Sequence, residues 1–149
     1  MKDYAKLWVG YTPKKNNRDC SALSRIVMNG ASENDRIVKN AVSELKDGLK
    51  AMLDIVPDVT FGVAGTDIKV TKGADIQDRE EYSITLNTDS LVIDGKSESG
   101  VLYAVFDILR TVACEKSIEK VYAVKKTVRP SNPLRMLNHW DNMDGSIER

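Results

Sequence analysis

Side chains that could bind a sugar are concentrated between residues 138 and 145. An amide, an imidazole, an indole and a carboxylate follow one another there, at Asn138, His139, Trp140 and Asp141. The preceding apolar run, Leu134–Leu137, predicts a short strand. Polar, aromatic and acidic groups at the carboxyl end of a strand are what a carbohydrate pocket in a barrel requires. From composition alone, a flexible polar end of the chain with an incidental Trp is an equally good interpretation.

The rest of the chain offers few groups for catalysis or metal binding. His139 is the only histidine, so no nucleophilic triad is predicted elsewhere. The glycines of Gly62–Gly65 lack the Lys-Ser/Thr of a phosphate loop, and a turn is the better interpretation. Cys20 and Cys114 lie far apart with no metal-ligand spacing, which predicts two reduced thiols and no zinc site. We therefore expect neither a metal nor a cofactor.

Length and charge set limits on the class of protein. The chain has 149 residues, which suits one domain, and its 22 basic residues balance its 22 acidic ones. No basic excess of the kind that nucleic-acid binders carry is present, so we expect no nucleic-acid partner. No apolar run is long enough to span a membrane, and the acidic residue in Met1–Tyr4, with no apolar run after it, leads us to expect no signal peptide. These observations predict a cytoplasmic location.

Hydrophobic periodicity predicts two helices among several strands. Apolar residues recur at helical spacing from Ile37 to Leu53, after a cap at Ser32 or Asn34, and again from Val101 to Val112, after Ser97 or Ser99. Short runs rich in β-branched and aromatic residues, or alternating with period two, predict strands at residues 6–11, 24–28, 59–63, 67–71, 81–86 and 90–93. The last two flank Asn87–Asp89 and predict a hairpin. A further weak strand is predicted from residue 121 to residue 128.

The order of these elements predicts an α+β fold. Strands, a long helix, more strands and a second helix fit a mixed or mostly antiparallel sheet with two helices packed on one face. The segment Arg129–Pro133 contains two prolines and predicts a linker before the apolar run at residue 134.

Two passages resemble the family 67 α-glucuronidases. Residues 133–149, PLRMLNHWDNMDGSIER, are similar to that family's passage from its N-terminal domain into the first strand of a (β/α)8 barrel. The second passage, residues 91–110, resembles the strand, turn and helix of the accessory domain before the barrel. Family 20 hexosaminidases carry a similar accessory domain. The resemblance implies an accessory domain at residues 1–132 and the start of the catalytic barrel at residues 133–149.

The resemblance also implies an activity. Family members release glucuronic acid, often 4-O-methylated, from α-1,2 linkages on xylo-oligosaccharides, with inversion and without a metal. Their two catalytic carboxylates come from later barrel strands, so this chain is expected to hold no catalytic residue. Trp140 matches a tryptophan of the glucuronate pocket, and its neighbours Asn138, His139 and Asp141 are weaker substrate-binding candidates.

The expected role of the chain alone is structural and inactive, with the rest of the barrel as its partner and a glucuronoxylan oligosaccharide as the ligand of the complete enzyme. A stand-alone carbohydrate-binding module that uses Trp8, Tyr11 or Trp140 is the alternative.

Overall fold

Five strands and three helices are formed by the residues that the computed structural model describes, which are 11–14, 21–62 and 79–132. The strands are β1 (Arg25–Asn29), β2 (Asp58–Phe61), β3 (Tyr82–Leu86), β4 (Leu91–Gly95) and β5 (Lys126–Val128). The helices are α1 (Arg36–Leu53), α2 (Glu98–Ala113) and α3 (Ile118–Tyr122), and a 3-10 turn, Ser21–Ser24, precedes β1. None of the helices within these ranges is long and apolar enough to cross a membrane.

The strands form one mixed sheet in the order β2-β1-β4-β3-β5. Strand β1 pairs in parallel with both β2 and β4, whereas β3 pairs antiparallel with β4 and β5. Strand β3 therefore runs against the other four. The predicted hairpin is confirmed, with Leu86 opposite Leu91 across its turn. The predicted α+β class, with helices on one face of a mixed sheet, is also confirmed.

The core lies between the sheet and the two long helices. Alternate strand residues such as Ile26, Ile84 and Ile93 are fully buried on the helix side. Helix α1 contributes Leu45 and Leu49 to the same core cluster, and α2 contributes its own apolar stripe. The apolar residues that recur every 3.6 positions in the helices thus pack against those that alternate in the strands, as expected for helices that cover a sheet.

The N-cap of α1 is not one of the two residues that the sequence predicts. Asp35 caps the helix, and its carboxylate accepts hydrogen bonds from the backbone N–H groups of Ile37 and Val38. Ser32 instead accepts a hydrogen bond from the backbone N–H of Asn34, within the preceding turn. For α2, Ser97 is the cap, which confirms one of the two alternatives.

Two strand predictions fall outside the described residues, and a third is partly wrong. The predicted strand at residues 67–71 lies outside them, as does that at residues 6–11 except for Tyr11. The weak strand predicted from residue 121 is in part the helix α3, which Ser117 caps by accepting from the N–H of Lys120. Its last residues do form β5, at the edge of the sheet.

The start of α2 lies against the backbone of the segment before β3. A Cβ atom on Gly100 would stand 2.6 Å from the carbonyl oxygen of Glu81. A Cβ on Gly95 would stand 2.7 Å from the backbone nitrogen of Val101. Since backbone atoms cannot rotate away, both positions require glycine for this close approach.

We expect Asp35→Ala to lower the free energy of unfolding by about 1 kcal/mol, because it removes the cap of α1. Asn34→Ala is the matched control and should change stability by less than about 0.5 kcal/mol. Urea denaturation of both variants checks that Asp35 is the N-cap of α1. An equal loss of unfolding free energy in the two variants would contradict that assignment.

Gly100→Ala should lower the free energy of unfolding by about 1–3 kcal/mol, because the new methyl group meets a backbone oxygen. Ser99→Ala, in the same helical turn, serves as the control and should be nearly neutral or slightly stabilising, since Ala favours helix. Thermal and urea denaturation measure the difference. A Gly100→Ala protein as stable as the parent would show that α2 can move away from Glu81.

Candidate functional site

The sugar-binding candidates predicted from the sequence, Asn138, His139, Trp140 and Asp141, lie outside the described residues. Their pocket stays a prediction. Trp8, a platform in the alternative interpretation, also lies outside them. Cys114 is described and is a free, exposed thiol. Within the described ranges, no group of three His, Cys, Asp or Glu side chains could hold a metal ion.

Tyr11, the other aromatic candidate, packs against α1. Its ring lies beside Gly48, where a Cβ would stand 3.0 Å from the Tyr11 Cζ. The Tyr11 hydroxyl donates to the Glu44 carboxylate at 3.5 Å. Burial and the nearby Glu44 charge raise the pKa of Tyr11 to about 12. These contacts place the ring at the margin of the core rather than on an open surface.

The most concentrated polar arrangement among the described residues is centred on Asp107. Its side chain is only 2% exposed, on the sheet-facing part of α2. One carboxylate oxygen accepts from Lys126 Nζ at 2.6 Å, and the other accepts from Arg110 Nη2 at 3.0 Å. Because Lys126 belongs to β5, this ion pair joins the edge strand to α2.

Two tyrosines lie around the same carboxylate. Burial, together with the negative charge of Asp107, raises the pKa of Tyr82 well above its ordinary value. Burial also raises the pKa of Tyr122 to about 12. The Tyr122 hydroxyl lies 3.1 Å from the hydroxyl of Thr111, and the Lys126 ammonium stands 5.5 Å from the centre of the Tyr122 ring. At that distance the cation can interact with the ring face.

Two clefts open on either side of Asp107. The first has a volume of about 330 Å³, and its aromatic wall is formed by the partly exposed Tyr103 and Phe106. Tyr103 donates to the Glu80 carboxylate at 3.3 Å. The second cleft, of about 300 Å³, is polar and lies towards the end of α2.

The Asp107 cluster has the geometry of a structural site. Both carboxylate oxygens are engaged by cations, and no described side-chain nitrogen or oxygen is buried without a partner. Sequence reasoning did not identify this cluster. A carboxylate within the apolar stripe of α2, three residues before Arg110, was the available signal.

Asp107→Ala should cost about 2–3 kcal/mol of unfolding free energy, because it removes a buried acceptor and leaves Lys126 without its partner. Arg110→Ala should cost less than about 1 kcal/mol, because its side chain is 74% exposed. Urea denaturation compares the two. An equal cost for both would show that the Lys126 contact contributes little.

The tyrosines predict a loss of stability in alkali. The pKa of Tyr122 is near 10 when unfolded and about 12 when folded, so the unfolded chain loses its proton first. The contribution of the protonated Tyr122 to the free energy of unfolding is complete below pH 10 and is lost as the pH rises through 12. Tyr122→Phe should make the stability profile flatter between these values. A profile as steep as that of the parent would contradict the assignment.

A family model and individual relatives give consistent matches to this chain. Residues 114–149 match the glycosyl hydrolase family 67 middle domain. The chain is 31% identical to a probable alpha-glucuronidase A of Aspergillus fumigatus, 31% to alpha-glucuronidase A of Aspergillus tubingensis and 32% to a probable alpha-glucuronidase A of Aspergillus clavatus. Each alignment covers 95% of this chain and 18% of the relative.

Among solved structures, a family GH115 4-O-methyl-alpha-glucuronidase with specificity for decorated arabinogalactans aligns with a TM-score of 0.41 and 14% identity. That alignment covers 59% of this chain and 13% of the other, and a similarity of this level does not establish a shared fold. The alignments with the Aspergillus relatives extend over nearly the whole chain, and the match to the family model lies at its C-terminal end. The chain belongs to the family 67 α-glucuronidases.

Proposed function

We propose that this chain is the N-terminal part of an α-glucuronidase, in which residues 1–132 form an accessory domain and residues 133–149 begin the catalytic barrel. The alignment of 95% of the chain with alpha-glucuronidases carries the proposal. Since the chain spans 18% of the length of those relatives, the activity belongs to the longer protein.

The proposed reaction is hydrolysis of the α-1,2 linkage that joins (4-O-methyl)glucuronic acid to a xylo-oligosaccharide, with inversion at the anomeric carbon. Inversion needs a carboxylic acid to protonate the leaving oxygen and a carboxylate to activate water, about 6.5–9.5 Å apart. We assign both groups to the remainder of the barrel. Trp140 would line the glucuronate pocket, with Asn138, His139 and Asp141 near it. The enzyme would act in the cytoplasm.

A structural role for the accessory domain is supported by the saturation of its polar groups. Asp107 holds two cations, and no described side-chain donor or acceptor is left buried and unpaired. Such a domain can brace the barrel without itself contacting substrate. The alternative, a carbohydrate-binding module, is supported by the partly exposed rings of Tyr103 and Phe106. Calorimetry with neutral xylo-oligosaccharides, which carry no carboxylate, distinguishes them, because only the module would give saturable heat.

A chimera tests the proposed function. This chain replaces the aligned segment of Aspergillus tubingensis alpha-glucuronidase A, and release of glucuronic acid from aldouronic acids is measured. The chimera should be active, and proton NMR should show the β anomer of the acid forming first. The 149-residue chain alone should release none. Release by the chain alone, or the α anomer first, would contradict the proposal.

Within that chimera, Trp140→Ala should lower kcat/KM at least tenfold, about 1.4 kcal/mol of transition-state stabilisation. Trp8→Ala is the matched control, because it removes the only other tryptophan of the chain and should leave kcat/KM within a factor of two or so. Equal effects of the two substitutions would remove Trp140 from the substrate pocket.

A further inference from the structure

The second cleft beside Asp107 has a basic lining that the proposed hydrolysis does not use. It lies where the end of α2 meets α3 and β5. Its walls are formed by one carboxylate, three cations and three smaller side chains, which are Asp107, Arg110, Lys116, Lys126, Thr111, Cys114 and Val121. Its volume of about 300 Å³ lies at the lower end of the range of small-molecule sites.

The charge of this region differs from that of the whole chain. Between residues 107 and 129 there are six Lys or Arg residues and three Asp or Glu residues, although the complete sequence is balanced. At the cleft itself, the single Asp107 charge faces Arg110, Lys116 and Lys126. The cleft therefore keeps a net positive charge after Asp107 has been neutralised.

The cations retain donors for a ligand. Arg110 gives one hydrogen bond to Asp107, and its guanidinium group has five N–H donors in a planar fork. Since its side chain is 74% exposed, the remaining donors are open to the cleft and to solvent. Lys116 is exposed and forms no ion pair with any residue in the described ranges. Arg110 and Lys116 line the same cleft. A guanidinium fork and an ammonium group in one cleft suit a carboxylate, which can accept from both.

We propose that this cleft binds a small carboxylate ligand, a uronate, whose carboxylate lies between Arg110 and Lys116. The choice of uronate rests on the proposed function, because that reaction releases a uronic acid. The exposed Arg110 and Lys116 imply weak, salt-sensitive binding. The buried Asp107 keeps Lys126 and Arg110 in place, so it positions the site without contacting the ligand.

Titration of the 149-residue chain with sodium glucuronate, followed by amide proton–nitrogen NMR, tests this inference. We expect saturable shifts at Thr111, Cys114 and Lys116, weakened by added sodium chloride. Neutral glucose is the matched ligand and should produce none. Inorganic phosphate is the comparison anion, because it carries negative charge but no carboxylate and no sugar ring. Shifts with phosphate and not with glucuronate would overturn the uronate assignment, as would equal shifts with glucose.

Lys116→Gln should weaken glucuronate binding about threefold, the effect of losing one exposed charge contact. Lys125→Gln removes the same charge from a neighbouring exposed lysine outside the cleft lining and should leave the affinity unchanged. If both variants weakened glucuronate binding equally, the attraction would come from the overall positive charge of the region and not from this cleft, which would overturn the proposed site. The absence of any saturable shift would overturn it as well. The chimera assay does not depend on this titration, so failure of one is separable from failure of the other.

Discussion

The burial of α2 between α1 and the sheet is the constraint on which the other elements depend. Nine of its sixteen residues are buried, and the exposed surface of the helix is limited to the side that carries Tyr103, Phe106 and Arg110. Each large apolar side chain removed from water contributes about 1.5–3 kcal/mol against the entropy cost of ordering the chain. The helices meet closely because Gly48 leaves room for Leu109, whose Cδ2 would stand 2.6 Å from an added Cβ.

Asp107 connects this apolar packing with the polar surface. On an otherwise apolar stripe a carboxylate is costly to bury, and the cost is offset because both its oxygens bind cations. Since Lys126 reaches it from the edge strand, the same ion pair that stabilises β5 also gathers positive charge at the basic cleft. The stability of the edge strand β5 and the proposed ligand binding thus both depend on the Asp107 cluster, and a substitution of Asp107 would affect both.

Local patterns predicted the two long helices, β1 and the hairpin, because each depends on neighbours within a few residues. The cap of α1 could not be chosen in this way, since Ser32, Asn34 and Asp35 all carry side chains that can cap and the path of the entering chain decides. The Asp107–Lys126 pair was missed because its members lie 19 residues apart and meet only when β5 joins β3. The sugar pocket around Trp140 lies outside the described residues and remains a prediction.

The position of β1 in the sheet has a consequence for the order of assembly. Its parallel contact with β4 brings together residues as far apart in sequence as Asn29 and Asp94, which are 65 positions apart. The hairpin of β3 and β4 closes over only a few residues. Because loop closure is slower for distant contacts, the hairpin and α2 should form first. Strand β1 would then pair with the β4 strand of that hairpin. During synthesis, the segment from β1 to β2 leaves the ribosome before β4, so β1 can pair with β4 only after β4 has been synthesised.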